Sequence, residues 1–206
     1  MTLGLISDIH GDPFSLELAW SHLRLLGADR VICAGDVVGY GARPDRAVAF
    51  LEDRQIESVR GNHDRWAIEA GAGHPDQFSG VIPSVKTLEY LGSLPQSIRI
   101  ESDGRVVLVV HGSPTSDMEY ILRDTHHADV LDHLLEANDV DVLVGGHTHA
   151  PMWYRGARGL VVNPGAVISL PVVRTSRTFA LLDVSALTVT IHDVESGRVL
   201  DVPVWK

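Results

Sequence analysis

Apolar and polar positions alternate with two different periods along this chain, and the change of period divides it. Leu3 to Ile6 reads as a buried strand that stops in the turn Ser7-Asp8-Ile9-His10-Gly11-Asp12. Asp12-Pro13 then opens a helix, with Asp at the cap and Pro at an early helical position. Over residues 14–26 the apolar residues Leu16, Ala19, Trp20, Leu23 and Leu26 fall on one helical stripe, and Gly27 ends it. Residues 29–34 predict a second strand closing in Gly35-Asp36, residues 44–54 a second helix, and residues 55–60 a third strand closing in Gly61-Asn62-His63-Asp64. A third helix is expected from near Asp64, a Gly/Pro/His-rich loop over 71–83, and a short helix over 85–91. This alternation is the βαβ pattern of a parallel sheet with covering helices.

Beyond residue 95 the period shortens. Residues 96–101 and 105–110 flank Ser102-Asp103-Gly104, a hairpin signal. The second of these runs ends in His111-Gly112-Ser113. A helix is expected from about 126 to 137, then a strand over 140–144 that ends in Gly145-Gly146-His147-Thr148-His149. Short β runs follow at 152–154, 159–162, 178–184, 188–194 and 199–204, separated by turn residues. There is no repeat, low-complexity segment or linker, so residues 1–206 are read as one domain.

Composition narrows the class. A chain of 206 residues can bury a sizeable core. Its longest apolar runs, such as Val106 to Val110, are far too short to span a bilayer, and no basic, apolar leader precedes the first strand. The expectation is a cytoplasmic protein without a membrane partner. One cysteine, Cys33, excludes an internal disulfide and reads as a buried structural thiol. A formal charge of −10 disfavours a nucleic-acid partner, which needs a basic surface, and leaves a homo-oligomer open.

The candidate chemistry sits where predicted strands stop. Asp8/His10, Asp36, Asn62/His63/Asp64, His111 and His147/His149 each end an apolar run, and each has a glycine beside it. In α/β sheets functional groups gather at the carboxyl ends of strands. Asp8 and His10, two positions apart on an extended segment, are expected to point to the same side as a chelating pair for a divalent metal. No thiolate belongs to the set.

In their order, Asp8-x-His10, Gly35-Asp36-x-x-Gly39, Gly61-Asn62-His63-Asp64, His111-Gly112 and Gly146-His147-x-His149 resemble the motifs of the calcineurin-like metallophosphoesterase superfamily. Asn163-Pro164-Gly165-Ala166-Val167 also resembles a turn of its small bacterial phosphodiesterase branch, with Ala166 where that branch usually has Ser. The resemblance implies an α/β fold of two packed mixed β-sheets flanked by helices, an α/β/β/α sandwich. It implies two divalent metal ions, with Mn favoured and Fe, Co, Ni or Zn as alternatives. Asp8, His10 and His149 would hold one ion, Asn62, His111 and His147 the other, and Asp36 would bridge them. A shared carboxylate offsets the repulsion of two cations held roughly 3.5–4 Å apart. The nucleophile would be a metal-bridging hydroxide. His63 would assist the leaving group, with Asp64 orienting its imidazole or capping the following helix.

The implied function is a metal-dependent phosphoric ester hydrolase acting on a small phosphate-ester substrate, with phosphodiesters favoured. The alternatives are a phosphomonoesterase on phosphoprotein or nucleotide, or a metal-retaining protein-interaction module with little turnover. Tyr40, Arg43, His126, His127 and the 71–83 loop are candidates for substrate contact without a motif behind them. Arg65 reads as a solvated side chain and Trp66 as a core one, while His22, His74, His133 and His192 read as structural or surface histidines.

Overall fold

The first apolar run forms β1 (Thr2–Ile6), and the pattern that follows it builds parallel neighbours. β1 pairs with β2 (Arg30–Cys33), Leu3 opposite Arg30 and Ile6 opposite Cys33. The crossover between them is α1 (Pro13–Leu25). Asp12 caps it, its Oδ1 accepting from the backbone N–H groups of Phe14 and Ser15 at 3.1 and 3.2 Å. Leu26 lies beyond the last turn and is exposed, so the buried stripe stops at Leu23. β2 leads through α2 (Pro44–Asp53) to β3 (Glu57–Ser58). That strand is shorter than expected. Gln55 takes a left-handed turn out of the helix (φ 53°), and the Arg60 N–H leaves the sheet for the Pro95 carbonyl. Then come α3 (Asn62–Gly71) and α4 (Val85–Ser93).

The computed structural model describes residues 1–74, 77–121, 127–168 and 177–204. In its second half β4 (Ser97–Ser102) and β5 (Arg105–Val110) form the expected hairpin. Both turn residues, Asp103 (φ 55°) and Gly104 (φ 70°), are left-handed, as a two-residue turn between twisted strands requires. α5 (Ala128–Ala137), β6 (Val142–Val144), β7 (Met152–Arg155) and β8 (Leu160–Asn163) follow. β9 (Thr178–Asp183), β10 (Thr188–Asp193) and β11 (Val199–Leu200) complete the described elements. The last strand is shorter than its apolar run suggested. Among the described residues no helix is long and apolar enough to cross a membrane.

Two mixed sheets result, β11-β10-β9-β1-β2-β3 and β4-β5-β6-β8-β7. In the first sheet β1, β2 and β3 run parallel at one end, and β9, which returns the chain beside β1, starts an antiparallel half that ends at β11. In the second sheet β5, β6 and β8 run parallel at the centre, and antiparallel β4 and β7 form the edges. The strand alternation decides which residues meet. Leu3, Leu5 and Ile32 face Val107, Val142 and Val162 between the sheets. Ile6 and Cys33 face outward under Leu16, Leu23 and Leu51 of α1 and α2. Leu108 and Leu143 face the other way, under Leu131 and Leu135 of α5. The layering is therefore helix, sheet, sheet, helix, and the ends of β1, β2, β5 and β6 reach one rim.

Candidate metal centre

The rim is built from loops locked to one another. Beyond β1 and β2 the ladder continues as loop contacts: the N–H of Asp8 donates to the Gly35 carbonyl at 3.0 Å, His10 to Asp36 at 2.9 Å and Gly11 to Val37 at 2.8 Å. Asp8 and His10 are not on an extended segment. Both are left-handed, at φ 54° and 46°, so their side chains converge through successive left-handed turns and not through the i, i+2 geometry of a strand. Asp36 (54°), His147 (66°) and His149 (57°) share that conformation. It costs a non-glycine residue about 1–2 kcal/mol, least for Asp, Asn and His, and backbone held this way clusters at functional sites.

The side chains converge. The ligand atoms of Asp8, His10 and His149 lie within 4.8 Å of one another, as do those of Asp36, His111 and His147, and those of His10, Asp36 and His63. The Nε2 atoms of His10 and His149 are 3.0 Å apart, and Asp8 Oδ1 is 3.2 Å from His149 Nε2. Asp36 Oδ2 lies between the first two groups, 3.7 Å from His10 Nε2 and 3.2 Å from His111 Nε2. Asn62 Oδ1 is 2.9 Å from His111 Nε2. All seven predicted metal ligands thus meet at one place.

Outer contacts aim them inward. His10 Nδ1 donates to the Val38 carbonyl at 3.2 Å and His111 Nδ1 to the Ala34 carbonyl at 2.7 Å, which leaves each Nε2 facing the cluster. One oxygen of each carboxylate is fixed by backbone: Asp8 Oδ2 accepts from the His147 N–H at 3.1 Å and Asp36 Oδ1 from the His63 N–H at 2.8 Å. The other oxygen of each turns to the cluster. Asn163 Nδ2 donates to the Gly146 carbonyl at 2.7 Å, and the Val167 N–H donates to the Ser7 carbonyl at 3.0 Å. The Asn163–Val167 turn therefore braces both sides of the rim, a role its resemblance alone did not disclose.

These residues fit a cation. Asp8 Oδ1 and His147 Nε2 are buried and have no hydrogen-bond partner. Burial pushes His10 down to about 4 and also lowers His147, which leaves neutral imidazoles with lone pairs to give. Burial works against charge on His111 too, but Asp36 beside it prevails and raises the imidazole to about 10. Asp36 is correspondingly held well below the usual carboxylate range despite its burial, by His111 and His10. A proton on His111 thus occupies part of the role a metal ion would fill. The set of carboxylate oxygens, imidazoles and one amide oxygen, without thiolate, suits a borderline divalent ion.

Asp64 requires a correction. Its Oδ1 accepts from the Val38 N–H at 3.0 Å and its Oδ2 from the Gly61 N–H at 2.9 Å, so it caps α3 and ties that helix to the Asp36 loop. It does not orient His63, whose Nδ1 is buried without a partner. Rings hold that imidazole instead: Tyr40 at 4.6 Å, Trp66 at 4.8 Å and His10 at 4.8 Å between centroids. α3 begins at Asn62, two residues earlier than expected, which places Asn62, His63 and Asp64 in one helical turn.

Among the remaining candidates, Tyr40 reaches the site and Trp66 is part of it rather than of the core. The Arg43 guanidinium lies over the Phe14 ring at 5.0 Å. Arg65 is no free surface charge, because Asp117 accepts from its Nε and Nη2 at 2.8 and 3.2 Å. His127 is the exposed residue that precedes α5, and His126 lies outside the described residues. Of the 71–83 loop, residues 75 and 76 are outside them too, while Phe78 packs against the helix-side core. Tyr120, which no sequence signal marked, stacks on His147 at 4.3 Å and 13°.

Comparison with known proteins identifies the family. Residues 1–187 match the family model of the calcineurin-like phosphoesterase superfamily domain. An uncharacterized protein of Methanocaldococcus jannaschii is 30% identical over 177 residues, 80% of this chain and 69% of that one. A metallophosphoesterase from Sphaerobacter thermophilus is similar in structure at a TM-score of 0.74 and 29% identity, over 95% of this chain and 89% of that chain. An archaeal phosphodiesterase shares the fold at a TM-score of 0.59 and 20% identity, over 97% of this chain and 100% of that chain.

Proposed function

Because the chain belongs to the calcineurin-like phosphoesterase superfamily, we propose that it is a metal-dependent phosphoric ester hydrolase acting on phosphodiesters. The observation that carries this reading is the pair of ligand groups on either side of Asp36. Asp8, His10 and His149 would hold one divalent ion and Asn62, His111 and His147 a second, with Asp36 shared. When bound, such ions supply Lewis-acid stabilisation of the phosphoryl oxygens and make water a competent nucleophile near neutral pH.

The chain's own residues supply the rest. Burial lowers His63, so its ring is neutral at pH 7. Since Nδ1 is buried with no acceptor, the proton sits on Nε2, from which it can hydrogen-bond a departing oxygen. Tyr40 and Trp66 pack against that ring, at 4.6 and 4.8 Å between centroids. The preference for diesters is supported by the fold shared with the archaeal phosphodiesterase. It is also supported by a rim on which the described residues place no covering domain. Manganese suits the oxygen and nitrogen donors and is the first ion to try.

The test is hydrolysis of bis(nitrophenyl) phosphate and nitrophenyl phosphate by protein stripped of metal and then reloaded with Mn²⁺ or Zn²⁺. Turnover that appears only on reloading, and is faster on the diester, is expected. Faster turnover of the monoester would overturn the diester preference. Tight metal binding with no turnover on either ester would make the protein an interaction module instead.

A further inference from the structure

A cavity of about 310 Å³ opens beside His111, between the end of β3, the first turn of α3 and the loop after β5. Arg60, Arg65, His111, Ser113, Ser116 and Asp117 are among its walls. Most of these polar groups are occupied by one another. Arg65 donates to Asp117 through two nitrogens and to Glu69 Oε1 through Nη1 at 3.3 Å. Ser113 Oγ accepts from the N–H groups of Thr115 and Ser116, each at 3.2 Å, and Ser116 Oγ from the Met118 N–H at 3.1 Å. The loop is thereby a rigid wall.

Arg60 is different. Its backbone is fixed by the bond from its N–H to the Pro95 carbonyl at 2.8 Å. Its guanidinium has no carboxylate partner among the described residues, although the side chain is only partly exposed and the chain as a whole carries a formal charge of −10. A guanidinium on a cavity wall with no ion-pair partner is available to a ligand that brings the negative charge. The cavity is at the small end of ligand sites, with room for an anionic group on a short arm. It also shares His111 with the cluster proposed to receive the scissile phosphoryl group.

We propose that Arg60 is a specificity residue that binds a second anionic group of the substrate, a carboxylate or a further phosphate, in the cavity beside His111. This rests on the phosphoesterase reading of the neighbouring cluster. The guanidinium fork matches either anion with two parallel hydrogen bonds, which an ammonium does not.

The experiment uses three nitrophenyl phosphodiesters whose butyl arm ends in a carboxylate, a phosphate or a neutral carboxamide. Wild-type protein should favour the charged arms over the carboxamide by about ten- to hundredfold in kcat/KM, the range of a charge-assisted hydrogen bond. The larger of the two charged-arm ratios identifies which anion the site is built for. Arg60→Gln should bring both ratios to near one, Arg60→Lys should leave them in between, and added salt should shrink the wild-type preference. The same comparison is made by calorimetry with the non-hydrolysable phosphonate analogues. If no ester is hydrolysed but binding still shows a charge preference that Arg60→Gln removes, the esterase reading fails and the Arg60 site stands. Equal binding of charged and neutral arms to wild type, or a preference that survives both Arg60 variants, would overturn the proposal.

Discussion

At the scale of single residues, two neighbours on the first turn of α3 have separate jobs, and substitution should separate them. Asp64 satisfies two backbone N–H groups, those of Val38 and Gly61. Asp64→Ala would leave both donors buried and unpaired, at about 1–3 kcal/mol each. A loss of about 2–6 kcal/mol in unfolding free energy is expected, read as a lower denaturant midpoint at unchanged slope. Unchanged stability with lost activity would restore Asp64 to a catalytic role. His63→Ala removes a ring that packs against Tyr40, Trp66 and His10, and it should leave the seven proposed ligands in place. If His63 assists the departing oxygen, the loss in kcat/KM should approach about 10²–10⁴-fold on an alkyl ester. It should be smaller on a nitrophenyl ester, which leaves without help. Equal losses on both, at matched metal content, would assign His63 to phosphate positioning. Loss of metal would make it a ligand.

At the scale of elements, the site depends on how closely β2 and α3 approach. A Cβ on Gly61 would stand 2.1 Å from Asp36 Oδ1 and 2.4 Å from the Asp36 nitrogen. Gly61 is extended (φ −91°), so its need for glycine is one of space, not of backbone conformation. Gly61→Ala should therefore push Asp36 out of place and weaken metal binding at least tenfold, as read by calorimetry, although Gly61 touches no metal. Undiminished affinity would show that the two loops can part. How much of this was legible beforehand follows from what period and motif encode. Strand alternation and helical stripes revealed the layers, because each buried face repeats within one element. The ligands were legible because their order along the chain is distinctive. The left-handed turns at Asp8 and His10 were not, since Asp and His tolerate that region but adopt it at only a minority of positions, and neither period nor motif marks which. The shortness of β3 was hidden for a similar reason, as residues 55–60 carry a strand pattern that the Gln55 turn and the Arg60–Pro95 bond cut off. Tyr40 and Tyr120 meet the histidines only through folding, and no spacing in the sequence announces such contacts.

At the scale of the whole molecule, the proposed metal centre is a clasp between the two sheets. Asp8, Asp36 and Asn62 follow strands of the first sheet, and His111, His147 and His149 follow strands of the second. Loading the site should therefore stabilise the entire fold rather than one loop. A ligand that binds only the folded state at about 100 times its Kd adds about 2.7 kcal/mol. For a chain of this size that is worth roughly 5–10 °C in Tm. Chelator should reverse the shift, and Asp36→Asn, which removes the charge shared by both ligand groups, should abolish it. The sign of the pH dependence follows from His111. Its folded pKa is raised to about 10, so at pH 7 the metal-free protein holds a proton there as the counter-charge of Asp36. A cation can use that nitrogen only after the proton leaves. Binding at pH 7 should release close to one proton from this site, and apparent affinity should rise from pH 7 towards 10. The measurement is calorimetric titration of metal-stripped protein in two buffers of different ionisation heat, because only proton release makes the apparent enthalpies differ. Identical enthalpies in both buffers, or affinity flat from pH 7 to 9, would mean that His111 is already neutral in the metal-free protein. The pairing of His111 with Asp36 would then not be the stand-in for a cation described above.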